Sequence, residues 1–292
     1  MPETFYELLA TTATSAASSA AGEGLPFTGP LLHLLSAGIC AFAIWLFFVF
    51  TRPGILSLAH TPGRQNRLNI LHLVVLFLVF QGSLYGILAA QGYKIDPKNP
   101  PPMTAALPAQ MAAQGIWAIA SLAVASMTFR HGLRRGLGLT TRRWLVDLVR
   151  GVAAFLIVLP PIIGLLEVAQ RLLPSRLIHP HDILQFLPQA SFNWRLMAIF
   201  ATVIVAPLAE ELFFRGLLQS ALRSYIGKPW ISILISSALF MAVHGPMYQD
   251  MPSLFVLAVG LGYLYERTGR LLAPMVAHAV FNSAMLWLTL AR

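Results

Sequence analysis

The chain has 292 residues, 57% of them hydrophobic and 11% charged, with a mean hydropathy of +0.70. Soluble domains carry about 25% charged residues, so this composition excludes a soluble globular protein and implies an integral membrane one. The net charge of +9 does not signal nucleic acid, because 17 of the 20 basic residues are Arg, grouped between apolar runs as the positive-inside rule requires.

Residues 1–30 read as an extramembrane N-terminal segment. Glu3, Glu7 and Glu23 lie there without Lys or Arg. A cleaved signal peptide needs a basic start, so the first apolar segment is expected to remain as an anchor. Apolar runs long enough, or nearly so, to cross about 30 Å of hydrocarbon follow at 31–51, 70–91, 110–129, 151–169, 196–220, 229–247, 252–267 and 271–290. The expected fold is therefore all-α, a polytopic transmembrane bundle of about eight spans. Cys40 is the single cysteine and lies inside the first run, so no intrachain disulfide can form.

Two connections stand out. Residues 92–109 carry Pro97, Pro100, Pro101 and Pro102, and 172–195 contain His179-Pro-His-Asp182. The latter resembles a metal cluster but is flanked by loop signals, which favours a surface or re-entrant loop. In the fourth run, Pro160-Pro161 predicts a kink, and Glu167 reads as a snorkelling acid. His33 and His72 stand alone and are expected at packing or interfacial positions. Ala258 and Gly262 form a small-xxx-small pair suited to close helix packing.

Loop charge orients the scheme. One side collects Arg52, Arg64, Arg67, Arg130, Arg134, Arg135, Arg142, Arg143, Arg150, Arg223, Lys228, Arg267 and Arg270. The other holds Lys94, Lys98, Arg171, Arg176, Arg195 and Arg292. Thirteen against six places the N-terminus outside and the Arg-rich loops in the cytoplasm of a plasma-membrane protein. Composition shifts near residue 190. Residues 31–190 form anchor-like helices with few polar groups, whereas 191–292 concentrate Glu, His, Asn and Arg inside helices, so function is expected there.

The strongest chemical signal is Glu210-Glu211-Leu212-Phe213-Phe214-Arg215, three ionisable residues within one apolar stretch. An intramembrane charge costs at least a few kcal/mol, so such groups face a cavity or a partner. Arg215 is one turn after Glu211 and can pair with it. Glu210 lies about 100° round the helix, which leaves it free for other work.

Phe240-Met-Ala-Val-His244 puts an imidazole near the end of the sixth run. His278-Ala-Val-Phe-Asn282 puts an imidazole and a carboxamide on one face of the eighth. Gathered in one pocket, these groups suit amide hydrolysis, which needs a base for water, a donor for the oxyanion and a proton for the leaving amine. Glu210 with His244 and His278 also matches a first-row metal shell, zinc being the natural choice, so a metal-bound hydroxide competes with directly activated water. Asn282 is a poor zinc ligand but a good oxyanion donor, which favours the metal-free version. The bland alternatives are an ion pair at Glu211–Arg215 that binds helices together, and interhelical polar contacts at the His and Asn positions.

Glu-Glu-x-x-x-Arg at 210–215, Phe-x-x-x-His at 240–244 and His-x-x-x-Asn at 278–282 occur in the order and setting of the CAAX protease and bacteriocin-processing family, also called Abi proteins. The resemblance spans about residues 195–290. It implies an intramembrane endopeptidase like the type II CAAX prenyl endopeptidases, acting on a peptide or protein substrate that is prenylated or carries a leader. Glu210 and His244 would activate water, His278 and Asn282 would stabilise the oxyanion, and Glu211, Arg215 and Phe240 would give structural support. The family is often labelled metalloprotease.

Other intramembrane protease types are excluded by their missing motifs. There is no His-Glu-x-x-His, no Gly-x-Gly-Asp and no Gly-x-Ser-x-Gly. Two other functions stay open: a catalytically silent scaffold or immunity protein of the same family, and a proton- or cation-coupled transporter. Transporters usually show internal repeats, and none is visible.

Overall fold

A computed structural model describes residues 29–290, apart from 53, 55, 56, 59, 60, 62, 95, 97, 98, 179–181 and 246. The N-terminal acids and the two histidines of 179–182 lie outside the described residues. Eight longer helices account for the eight apolar runs. They are α1 (Gly29–Thr51), α2 (Ile70–Ala90), α3 (Met103–Thr128), α4 (Trp144–Leu172), α5 (Phe192–Ile226), α6 (Pro229–Ala242), α7 (Met251–Thr268) and α8 (Leu272–Leu290). Among the described residues strand pairing is limited to one isolated bridge, Asn66 with Phe129. The chain is an all-α polytopic bundle.

The count of spans is more restrictive than the eight runs suggest. Among the described residues five helices, α1 to α5, are long and apolar enough to cross a membrane. At 1.5 Å per residue the 14 residues of α6 reach only about 21 Å. The 18 residues of α7 carry Glu266 and Arg267 in their last turn, which lowers their apolar character. The chemistry-bearing half is thus built partly from helices too short or too polar to span alone.

Local signals set the ends. Asn69 caps α2 by accepting from His72 N–H at 3.0 Å, and His72 Nδ1 accepts from Asn69 N–H in return, which gives that histidine a capping role. α3 starts at Met103, seven residues before the apolar run. Pro102 ends the preceding loop in extended geometry, and Pro108 sits in the second turn, where it removes the donor for the Thr104 carbonyl without ending the helix. Pro160 and Pro161 lie inside α4 without interrupting it. Proline at 160 removes the donor for the Leu156 carbonyl, and Gly38 of α1 packs there, since a Cβ on it would meet that oxygen at 3.2 Å. Glu167 pairs with Arg171 one turn on, at 2.6 Å. Gly227 and Gly269, at φ +73 and +65, end α5 and α7.

α4 packs against α1, α7 and α8, while α5 lies against α3, α6 and α8. One buried core gathers Trp117 of α3 with Phe213, Phe214 and Leu217 of α5 and Phe240 of α6. Trp117 and Phe213 have ring centroids 4.7 Å apart, and Phe214 meets Phe240 edge-on at 5.1 Å. This aromatic core fixes α5 and α6 relative to each other, which places Glu210 and His244 on facing walls.

Candidate active site

α5 is not a uniform α-helix. It widens to π geometry over Ala201–Val205 and again over Leu212–Gln219, so both wide turns flank Glu210-Glu211. The first has a sequence cause. Ala206 N–H bonds to the Ala201 carbonyl, five residues back. The next donor in that register would be residue 207, but Pro207 has no N–H. The Thr202 carbonyl is therefore left over, and Asn282 of α8 donates to it through Nδ2 at 2.7 Å. In the second wide turn the hydroxyls of Ser236 and Ser220 serve the Phe214 and Arg215 carbonyls, at 2.9 and 3.4 Å.

Glu211 is fully buried and Arg215 is 1% exposed. Arg215 Nη1 donates to Glu211 Oε1 at 2.8 Å, Nη2 donates to the Ala258 carbonyl at 3.2 Å, and the guanidinium lies 4.6 Å from the Phe240 ring centre. The small residue at 258 lets α7 come close enough for this bond. Gly262, one turn on, does the same for Gln219, whose Nε2 donates to the Gly262 carbonyl at 3.0 Å. A Cβ at 262 would stand 2.8 Å from Gln219 Oε1. The pair thus packs closely, with polar bonds replacing the bare contact expected of it.

Both imidazoles are oriented through Nδ1. His244 Nδ1–H donates to the Phe240 carbonyl at 2.7 Å, and His278 Nδ1–H donates to Glu211 Oε1 at 2.9 Å. A carbonyl or carboxylate oxygen can only accept, so these bonds fix the tautomer. The neutral ring then presents an unprotonated Nε2, and both Nε2 atoms point at Glu210. His244 Nε2 lies 3.9 Å from Glu210 Oε2 and His278 Nε2 lies 3.8 Å from it. Three acceptors converge on one point. They call for a donor or a cation between them, and water at ordinary hydrogen-bond lengths of about 2.8 Å bridges such gaps off-axis.

The donor set is of zinc type, because each imidazole is held by a partner on its other nitrogen. The spacing is wider than zinc holds. Two ligands about 2.1 Å from a tetrahedral zinc lie about 3.4 Å apart. Among the described residues no group of three His, Cys, Asp or Glu assembles in metal-binding geometry.

Glu210, His244 and His278 therefore come together, with Glu211, Arg215 and Phe240 behind them. The Phe240 ring is fully buried and contacts both imidazoles, at centroid distances of 4.5 and 5.8 Å. Asn282 is on the same wall one turn from His278, but its described bond goes to Thr202 rather than to the three converging groups.

Sequence reasoning missed two buried acids. Glu266, 4% exposed, takes Arg223 Nε at 3.2 Å, Arg64 at 3.7 Å and the Thr61 hydroxyl at 3.1 Å. Asp147, fully buried, takes Arg270 Nε at 2.6 Å. Three of the loop arginines counted for orientation are thus internal counter-charges. The available signal was rarity: with 11 acids in the chain, one at either end of an apolar helix invites a partner search.

Residues 192–284 match the family described as type II CAAX prenyl endopeptidase Rce1-like. Two curated relatives are similar over the same scale. An uncharacterized 24.3 kDa protein of Escherichia coli is 34% identical over 87 residues, covering 28% of this chain and 40% of that protein. An uncharacterized protein of Bacillus subtilis (strain 168), YpbD, is 37% identical over 89 residues, covering 29% and 41%. The similarity thus spans about two fifths of each relative. No solved structure matches the chain.

Proposed function

We propose that this protein is an intramembrane endopeptidase that hydrolyses a peptide bond of a membrane-associated substrate with water activated by Glu210. The observation that carries the proposal is the convergence of Glu210 Oε2 with two imidazole nitrogens at 3.8 and 3.9 Å, both rings oriented by bonds at Nδ1. The match of residues 192–284 to the Rce1-like family supports the reaction class.

In this scheme a water sits between Glu210 and His244. Glu210 takes its proton as the oxygen attacks the scissile carbonyl, and His244 Nε2 passes that same proton from Glu210 to the leaving amine. The oxyanion is met by Asn282, whose amide keeps one N–H after bonding Thr202. His278 joins as a donor from Nε2 only when its ring carries a second proton. Glu211 and Arg215 hold His278 and α7 in position. The substrate is prenylated or carries a leader peptide, and the N-terminus lies outside the plasma membrane.

Quantitative mapping of protein termini in membranes from cells carrying wild-type or Glu210→Ala protein tests this. New termini that depend on Glu210 are expected. Identical termini, with both proteins present at equal levels, would leave a silent scaffold or immunity protein as the function.

A further inference from the structure

At the arginine-rich end of the bundle, the loop between α3 and α4 meets the turn between α7 and α8. Leu271 N–H donates to the Gly138 carbonyl at 3.2 Å, and Tyr265 Oη donates to the Leu137 carbonyl at 3.0 Å. Gly138 has φ +83, and a Cβ there would lie 2.3 Å from the Gly269 carbonyl, so the two backbones approach as only glycine permits. Arg270 rivets the junction. It reaches Asp147 with distances of 2.6 to 2.8 Å, and also bonds the Thr140 and Arg142 carbonyls.

Beside this junction is an open cavity of about 480 Å³, lined by Arg142, Arg143, Arg150, Arg267, Thr268 and Arg270. Five guanidinium groups border it, and among the described residues no carboxylate lines it. Asp147 neutralises Arg270, and among the described residues the other four have no carboxylate partner. Among the described residues Arg267 bonds a neutral acceptor, the Ser57 carbonyl, at 3.3 Å. Like charges gathered around one space repel each other unless an anion joins them. Arg143 adds strain: at φ +68 it is the described non-glycine residue in the left-handed region, a conformation that costs on the order of a kcal/mol.

The cavity opens beside an apolar surface. Arg143 immediately precedes α4, and Arg150 stands in its second turn. Between them Trp144, Leu145, Val149 and their neighbours are exposed, at 54%, 56% and 66% for the three named. In a membrane protein this stripe meets acyl chains, with Trp144 at headgroup level. A free inorganic anion would use the cations alone. A ligand that uses both features has a phosphate head and hydrocarbon tails.

We infer that this cavity is a binding site for the headgroup of an anionic phospholipid, its phosphate held among Arg142, Arg143, Arg150 and Arg267 while its chains lie along the first turns of α4. Basic pockets between membrane helices bind anionic headgroups on this physical basis. The site is independent of the hydrolytic reading, because none of its residues belongs to the Glu210 pocket.

The test uses full-length protein purified in neutral detergent and stripped of lipid. Thermal melting and native mass spectrometry are followed as phosphatidylglycerol, phosphatidylcholine or inorganic phosphate is added. Phosphatidylglycerol should raise the melting temperature and leave bound lipid, and the double variant Arg150→Gln/Arg267→Gln should bind it about tenfold to thirtyfold more weakly. Arg134→Gln/Arg135→Gln, which removes two exposed arginines outside the lining, should bind as the wild type does. Should the Gln pair fail to fold, Arg150→Lys/Arg267→Lys keeps the charge and should retain most of the affinity. Equal effects of phosphatidylcholine, or equal loss in the Arg134/Arg135 variant, would overturn the site. Stabilisation by inorganic phosphate at the same concentration would overturn the lipid as its occupant.

Discussion

Replacing Glu211 by Gln removes one charge from a pair that is shut away from water. Arg215 is 1% exposed and Glu211 fully buried, with 2.8 Å between Nη1 and Oε1. The amide retains the shape and one acceptor oxygen, so the loss is chiefly the counter-charge of Arg215 and the charged acceptor of His278. Breaking a buried ion pair by removing one partner costs about 3–5 kcal/mol. The retained amide and the cation–π contact with Phe240 offset part of that, so about 3 kcal/mol is expected. Glu210→Gln is the internal control. Its carboxylate has no described partner nearer than 3.8 Å, so its removal should leave melting nearly unchanged while abolishing cleavage. Thermal melting in detergent, read alongside peptide cleavage, separates the two carboxylates. The double variant Glu211→Gln/Arg215→Met should melt above Glu211→Gln, because it removes the stranded cation. Equal melting shifts for Glu210→Gln and Glu211→Gln, or no recovery in the double variant, would refute the division of labour.

Pro207→Ala restores an N–H that competes with Asn282 for the Thr202 carbonyl. Melting should hold or rise while cleavage falls about a hundredfold, the scale of a misplaced catalytic group; unchanged cleavage would mean that Asn282 needs no such anchor. Cleavage by detergent-purified protein should persist after chelator treatment, since the Glu210–imidazole distances exceed those of a zinc shell. Complete loss restored by zinc would replace direct water activation with a metal-bound one.

The bundle and most of the site were legible in the sequence for a simple reason. Runs of apolar residues can only become helices in hydrocarbon, and a charge inside one must have a partner. Glu211–Arg215 followed from i,i+4 spacing, and Glu210, His244 and His278 from their isolation within such runs. Helical periodicity could not reveal the wide turns of α5, because a π turn shifts the face of every later residue and depends on where Pro207 and the α8 carboxamide meet. Nor could it say which imidazole nitrogen faces Glu210, since that rests on a carbonyl of α6 and a carboxylate of α5. The pairings of Glu266 and Asp147 join residues 43 or more positions apart, beyond any local rule. That α3 begins before its apolar run was hidden because the prolines at 97, 100, 101 and 102 resemble a loop, whereas Pro102 stands at the helix entry.

The shortness of α6 has a bearing on solvent supply. Its outer face is apolar, with Ile231, Leu234, Ile235 and Leu239 exposed, yet it reaches only about 21 Å against a hydrocarbon layer of about 30 Å. Lipid beside it must thin or tilt to cover that face, which draws the aqueous boundary inward on that flank. His244 stands just past the end of α6, with its side chain 30% exposed. Hydrophobic mismatch thus brings water close to Glu210, where the proposed hydrolysis would consume it.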